Sequence, residues 1–172
     1  RKPSVSNQPI KSLAVLPVKS LSAKADDEEL RWQITDALIT KLGSVREVSV
    51  RPTASVLRFA KSEKSIFEIG KNLEVDAVLD SRIQHEGETI RVTLQLVAVE
   101  SNEQLWSEVF DGNINQILNL QDKISARVLE SLNQNRQQSL ELAQRPTNND
   151  DAYAHLQCLA ENSIGIEIKI GR

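Results

Sequence analysis

Histidine, cysteine and clustered carboxylates are the side chains through which a chain like this would do chemistry, and here they are few and scattered. His85 falls in a turn between two predicted strands and His155 in a predicted terminal helix. A metal site needs several ligands that converge, so both are read as solvated side chains and no metal ligand set is assigned. Cys158 is the single cysteine, which excludes an internal disulfide and an all-cysteine metal site. With no base predicted beside it, it is read as a packed thiol. The run Asp26-Asp27-Glu28-Glu29 offers carboxylates to a cation, but acids in a row also suit the positive end of a helix. Asp76 and Asp80 share a strand face, as an acid/base pair would, with no third group to complement them. No His-Glu-x-x-His, phosphate-cradling glycine loop or nucleophile elbow is present. The expectation is a protein with no catalytic residue and no cofactor.

The elements that would position these groups follow from hydrophobic spacing. Residues 1–9 carry two prolines and little to bury, and read as a linker. Leu13-Ala-Val-Leu16 is an apolar run of a strand covered on both faces, ended by Pro17, with a polar loop to Asp27. Leu30, Ile34, Leu38 and Leu42 fall at helical spacing, which predicts a helix over 28–42. Asp26 and Glu29 would cap its start and Gly43 would supply a left-handed end. Trp32 lies off that stripe and is a candidate partner contact. A short strand over 47–50 is closed by Pro52, a helical turn covers 53–59, and Ser65 with Glu68 forms a capping box for a helix through Leu73.

Three strands then follow: 75–83, 90–99 and 104–110. The segments His85-Glu-Gly87-Glu and Glu100-Ser-Asn102-Glu are the turns between them. In the middle strand Ile90, Val92, Leu94, Leu96 and Ala98 alternate with polar residues. Ile117, Leu120, Ile124, Val128 and Leu132 mark a long helix. Residues 136–160 read as a helical extension or the start of a tetratricopeptide region. In 161–172 Ile164, Ile166, Ile168 and Ile170 alternate strictly, as in an atypical tail or an edge strand.

Right-handed crossovers and short hairpins leave one simple architecture. It is a three-layer α/β/α domain over 10–135 with a mixed five-stranded sheet of order 2-1-3-4-5, the fourth strand antiparallel, similar to the anticodon-binding-domain fold. A ligand crevice would lie where the strand order reverses, between the loops 18–27 and 84–88. The candidate ligand or partner contacts are therefore Lys19, Lys24, Asp26, Asp27 and His85, with Trp32 beside them.

Four segments carry a resemblance. They are Ile10-Lys-Ser-Leu-Ala-Val-Leu-Pro17, Ile69-Gly-Lys-Asn-Leu-Glu-Val-Asp-Ala-Val-Leu79, Gln104-Leu-Trp-Ser-Glu-Val-Phe-Asp111 with Leu120-Gln-Asp-Lys-Ile124, and Arg145-Pro-Thr-Asn-Asn-Asp-Asp-Ala-Tyr153. In this order they resemble the TolB-N-terminal-like domains of bacterial membrane-linked regulators: transcriptional regulators, adenylate cyclases and Ser/Thr kinases with tetratricopeptide repeats. The chain departs from that pattern at Ala23-Lys24-Ala25, at Gln33-Ile34 and at Ser81, where the family tends to carry glycine or Gly-Asp motifs.

The resemblance implies a non-catalytic sensory or protein-interaction domain, or else an envelope scaffold that supports repeats. It also implies a place on the periplasmic side of an inner-membrane protein. The chain starts without Met and with Arg1-Lys2, as expected for a piece that follows a membrane helix. The implied partners are another protein or a second copy, with a small ligand of unknown kind. The formal net charge of −3 with both signs interspersed argues against direct nucleic-acid contact. Membrane contact is expected only through a flanking helix outside this chain.

Overall fold

The structure is a computed structural model, and it describes residues 8–22 and 27–144. The expectations for residues 161–172 and for Lys24, Asp26, His155 and Cys158 lie outside them. The residues through Ser139 form one compact unit, and the architecture below is that of this unit.

The elements run β1 (Ser12–Val15), β2 (Lys19–Ser20), α1 (Asp27–Gly43), β3 (Ser49–Val50), α2 (Thr53–Leu57), α3 (Ile66–Leu73), β4 (Ala77–Glu86), β5 (Thr89–Ala98), β6 (Glu103–Asn113) and α4 (Ile117–Gln144). The sheet order is β3-β1-β4-β5-β6, which is the expected 2-1-3-4-5 order once β2 is set aside. β1 runs parallel to β3 and β4, and β5 is antiparallel to both neighbours.

β2 is the one addition, in a stretch expected to be loop. It pairs with β4 through Lys19↔Arg82 and Ser20↔Ile83, where β1 pairs Val15↔Leu79. Four steps on one chain therefore match three on the other, and the extra residue falls around Pro17. Proline removes a ladder donor but need not end the pairing. The main-chain groups freed at this bulge are taken up by α1. Thr35 Oγ1 accepts from the Val18 N–H (3.1 Å), and Arg31 Nε donates to the Val18 carbonyl (2.8 Å).

Register places Leu13, Val15, Leu79, Ile83, Val92, Leu94 and Leu96 on one sheet face, all fully buried. α1 covers this face with Ile34, Leu38 and Leu42, and α4 covers it with Leu120, Ile124, Val128 and Leu132. Each such side chain contributes roughly 1.5–3 kcal/mol on burial. Leu120 seats directly over Gly112 of β6, 3.1 Å from where a Cβ would stand. Arg127 Nε donates to Glu108 on the same face (2.7 Å).

α3 lies on the opposite face and covers only one end of it, around Val78 and Val99. Its start is the expected capping box, with Glu68 N–H donating to Ser65 Oγ (3.2 Å) and Ser65 N–H to Glu68 Oε2 (3.0 Å). Its end is closed by Arg51, whose guanidinium donates to the carbonyls of Leu73 and Glu74, both at 2.9 Å. The rest of that face carries Arg82, Gln84, Arg91, Thr93, Gln95 and Val109, with no helix over it among the described residues.

One backbone expectation is corrected. Gly43 does not take the left-handed conformation and remains the last residue of α1. The left-handed cap occurs instead at Glu74 after α3, at φ 53°. Gly87, at φ 60°, is the first residue of a two-residue turn between Glu86 and Thr89, a position only glycine fills without strain.

Gly70 gives a sharp test of packing against propensity. An exposed helical glycine replaced by alanine gains up to about 1 kcal/mol. Here the new Cβ would overlap Val99 Cγ2 and stand 3.0 Å from Val78 Cγ2. Gly70→Ala should therefore lose about 1–3 kcal/mol in urea unfolding; a gain would show that α3 does not seat as described.

Candidate functional site

Where the crevice was expected, between the end of β1–β2 and the β4–β5 turn, described side chains from three segments bind one another. α1 begins there, and its first residue, Asp27, is buried at 1% exposure. One carboxylate oxygen, Oδ2, accepts from the Ser20 hydroxyl (3.1 Å) and from the Ser22 hydroxyl. The other, Oδ1, lies 3.0 Å from His85 Nδ1. His85 Nε2 in turn lies 2.7 Å from the Gly87 carbonyl. The site thus ties three segments together: the chain after β2, the start of α1, and the β4–β5 turn.

Two of the sequence-predicted contacts, Asp27 and His85, are brought together in this way. His85 was expected to be a solvated turn residue and is not. β4 runs on to Glu86, so His85 is a strand residue on the covered face, opposite Ile90, with its side chain only 17% exposed. Both imidazole nitrogens lie within hydrogen-bond distance of an oxygen. Ser20 and Ser22 were missed; the Ser-x-Ser spacing five residues before Asp27 was the available signal.

Lys19 does not join this cluster. Its register partner is Arg82, which puts it on the opposite face, where its Nζ stands 3.3 Å from Asp80 Oδ1. Asp80 is buried, with Arg82 Nε 3.8 Å from its second oxygen. Its Oδ1 makes no hydrogen bond, so the Lys19 contact is an ion pair without hydrogen-bond geometry. Trp32 is half-buried on α1, off the apolar stripe as expected.

Asp76 and Asp80 do not form a pair. Asp76 Oδ2 accepts from the main-chain N–H groups of Lys11 (2.9 Å) and Ser12 (3.0 Å), and its own N–H donates to Ser12 Oγ (2.9 Å). It is a clamp between the head of β1 and the head of β4. No group of three or more His, Cys, Asp or Glu side chains placed to hold a metal occurs among the described residues.

Comparison with known proteins places this arrangement. Residues 9–127 match the family model described as HilA/YgeH-like transcriptional regulator, second domain. The chain belongs to that family. It is also 25% identical over 121 residues to a protein of Rhizobium meliloti (strain 1021) named "Putative adenylate cyclase 3"; the match covers 70% of this chain and 21% of the relative. The chain thus spans about a fifth of that relative's length.

Among solved structures, the fold is shared with TolB from Acinetobacter baumannii (TM-score 0.51, 12% identity, 73% of this chain and 29% of that one). It is shared as well with Lipoprotein GNA1162 from Neisseria meningitidis (TM-score 0.52, 19% identity, 72% and 99%). The mixed α/β fold of this regulator domain is therefore one that recurs in otherwise distant chains. No helix among the described residues is long and apolar enough to cross a membrane.

The hydroxyl bond from Ser22 holds the Asp27 carboxyl below the ordinary aspartate range; burial opposes this, and His85 and Ser20 add to the lowering. A carboxyl with a lowered folded value stabilises the fold above its unfolded value, about 3.9, and that contribution is lost as pH falls through the folded value. Asp27→Ala should cost about 1–3 kcal/mol at neutral pH. It should also flatten the acid limb of the stability curve below about pH 4. Urea unfolding between neutral and acid pH reads both; an unchanged acid limb would show that Asp27 is not held in this way.

Proposed function

We propose that this domain is a non-catalytic signal-input and protein-interaction module of a bacterial membrane-linked regulator, of the TolB-N-terminal-like kind. The observation that carries the reading is the use made of its polar side chains. Asp27, His85, Ser20 and Ser22 join three segments to one another, Asp76 binds main-chain N–H groups, and Asp80 sits under Lys19 and Arg82. Groups spent in this way hold a shape for recognition. A reaction needs a nucleophile and a base turned toward a vacant position.

The family supports the regulatory setting, being the second domain of transcriptional regulators. The relative named as a putative adenylate cyclase supports an attached output, since the matched part is a fifth of its length. The periplasmic placement of the domain in an inner-membrane protein belongs to this proposal and rests on the family resemblance.

Between partner binding and small-ligand sensing, the contact of Asp27 and His85 with each other favours a protein partner. The bare polar half of the sheet around Arg82, Arg91 and Thr93 offers the larger accessible surface. An envelope scaffold is the second reading, and the same Asp27–His85 contact is the observation in its favour.

The test is removal of residues 10–139 from the full-length regulator, with output measured with and without its inducing condition. An allosteric input worth about 1–3 kcal/mol predicts a change of about five- to 150-fold in regulated output, with the basal activity of the isolated output domain intact. Loss of that basal activity in vitro would assign the domain a catalytic part and sink the proposal. An intact regulated response would leave it a scaffold.

A further inference from the structure

The two edges of the sheet are treated differently. β3 is two residues long and Pro52 follows after Arg51, so that edge offers almost no template for another strand. β6 is eleven residues long and has no neighbour on its outer side among the described residues. Between residues 103 and 113 there is no Lys, Arg or Pro, and the charged residues are the acids Glu103, Glu108 and Asp111. Its one bulge, at Leu105, sits near its start, where Leu96↔Trp106 is followed by Val97↔Gln104.

The ladder shows which main-chain groups are free. Ile114 N–H donates to the Glu88 carbonyl (2.9 Å), and hydrogen-bonded pairs alternate along an antiparallel ladder. Gly112, Phe110, Glu108 and Trp106 therefore turn their main chain toward β5. Ser107, Val109 and Asp111 turn theirs outward. The side chain of Val109 is also 53% exposed, an apolar residue on the uncovered polar face.

We infer that this edge pairs with β6 of a second copy, antiparallel, about a two-fold axis at Val109. The register is self-complementary, as a symmetric interface requires. Val109 lies opposite Val109 of the other copy, Ser107 opposite Asp111, and Glu108 opposite Phe110, so no like charges meet directly. A register one step away would set Glu108 against Glu108, which is unfavourable. The pairing joins two sheets into one and covers the exposed valine. Strand pairing alone buries less than the roughly 1,000 Å² of a firm interface, so the dimer is expected at about 0.1 mM and dissociates toward about 1 μM.

Sedimentation velocity of the complete chain over that concentration range tests this. Wild type should move from monomer toward dimer as concentration rises. Val109→Pro removes an outward N–H and leaves the β5 ladder whole, so it should stay monomeric at about 0.1 mM. Val109→Lys keeps the main chain intact and sets two cations against each other at the axis; it should weaken association at least about tenfold with an unchanged circular dichroism spectrum. Should Val109→Pro fail to fold, Val109→Lys alone decides. Wild type that stays monomeric at the highest concentration, or dimers that persist equally in Val109→Lys, would overturn the inference.

Discussion

Everything in this domain depends on the register of β1 against β4, and the Asp76 carboxylate is what sets it. A strand displaced by one residue turns its whole apolar set to the wrong face. β1 is only four residues long, so its own ladder specifies little. Asp76 supplies what the ladder lacks: one oxygen receives two successive N–H groups at the head of β1, and its N–H returns a bond to Ser12. Leu13, Ala14 and Val15 then meet Ala77, Val78 and Leu79, all buried. With β4 placed, β5 and β6 follow through short turns, and α1 and α4 have a flat apolar face to cover.

The same logic, a charged group spent on the main chain or on a junction, recurs through the structure. Arg51 closes α3, Arg31 takes the carbonyl freed by the Pro17 bulge, and Asp27 binds three segments. In a chain poor in aromatic residues and without Met, such polar ties give specific geometry that a purely aliphatic core leaves loose. They also account for the regulator domain's character. Among the described residues, Asp27, Asp76 and His85 look like reactive groups in the sequence, and in the fold each is held by a structural partner.

Much of this was legible in the sequence because it is local or periodic. The Leu30–Leu42 stripe, the Ser65/Glu68 box and the alternation from Ile90 to Ala98 each specify an element through spacing alone, and the order of elements gives the observed strand order when the first crossover runs outward and the second returns. What was not legible depends on long-range partners. Pro17 reads as a terminator, yet β2 resumes pairing because α1 satisfies the bulge. Gly43 has a helix-ending residue type and no need to act on it, while Glu74 takes the left-handed cap under the grip of Arg51. For the site, the crevice loops were located and Asp27 with His85 placed near each other. Their contact depended on β4 extending to Glu86, which the His-Glu-Gly-Glu segment disguised as a longer turn.

The most direct test of this account is the stability of Asp76→Ala. Asp76 is solvent-exposed and water can replace part of what it supplies, so its loss should lower urea unfolding by about 1–2 kcal/mol, with amide exchange faster at Lys11 and Ser12 than at the β5–β6 ladder. A change within about 0.5 kcal/mol, typical of an exposed surface residue, would contradict the claim that this carboxylate sets the register.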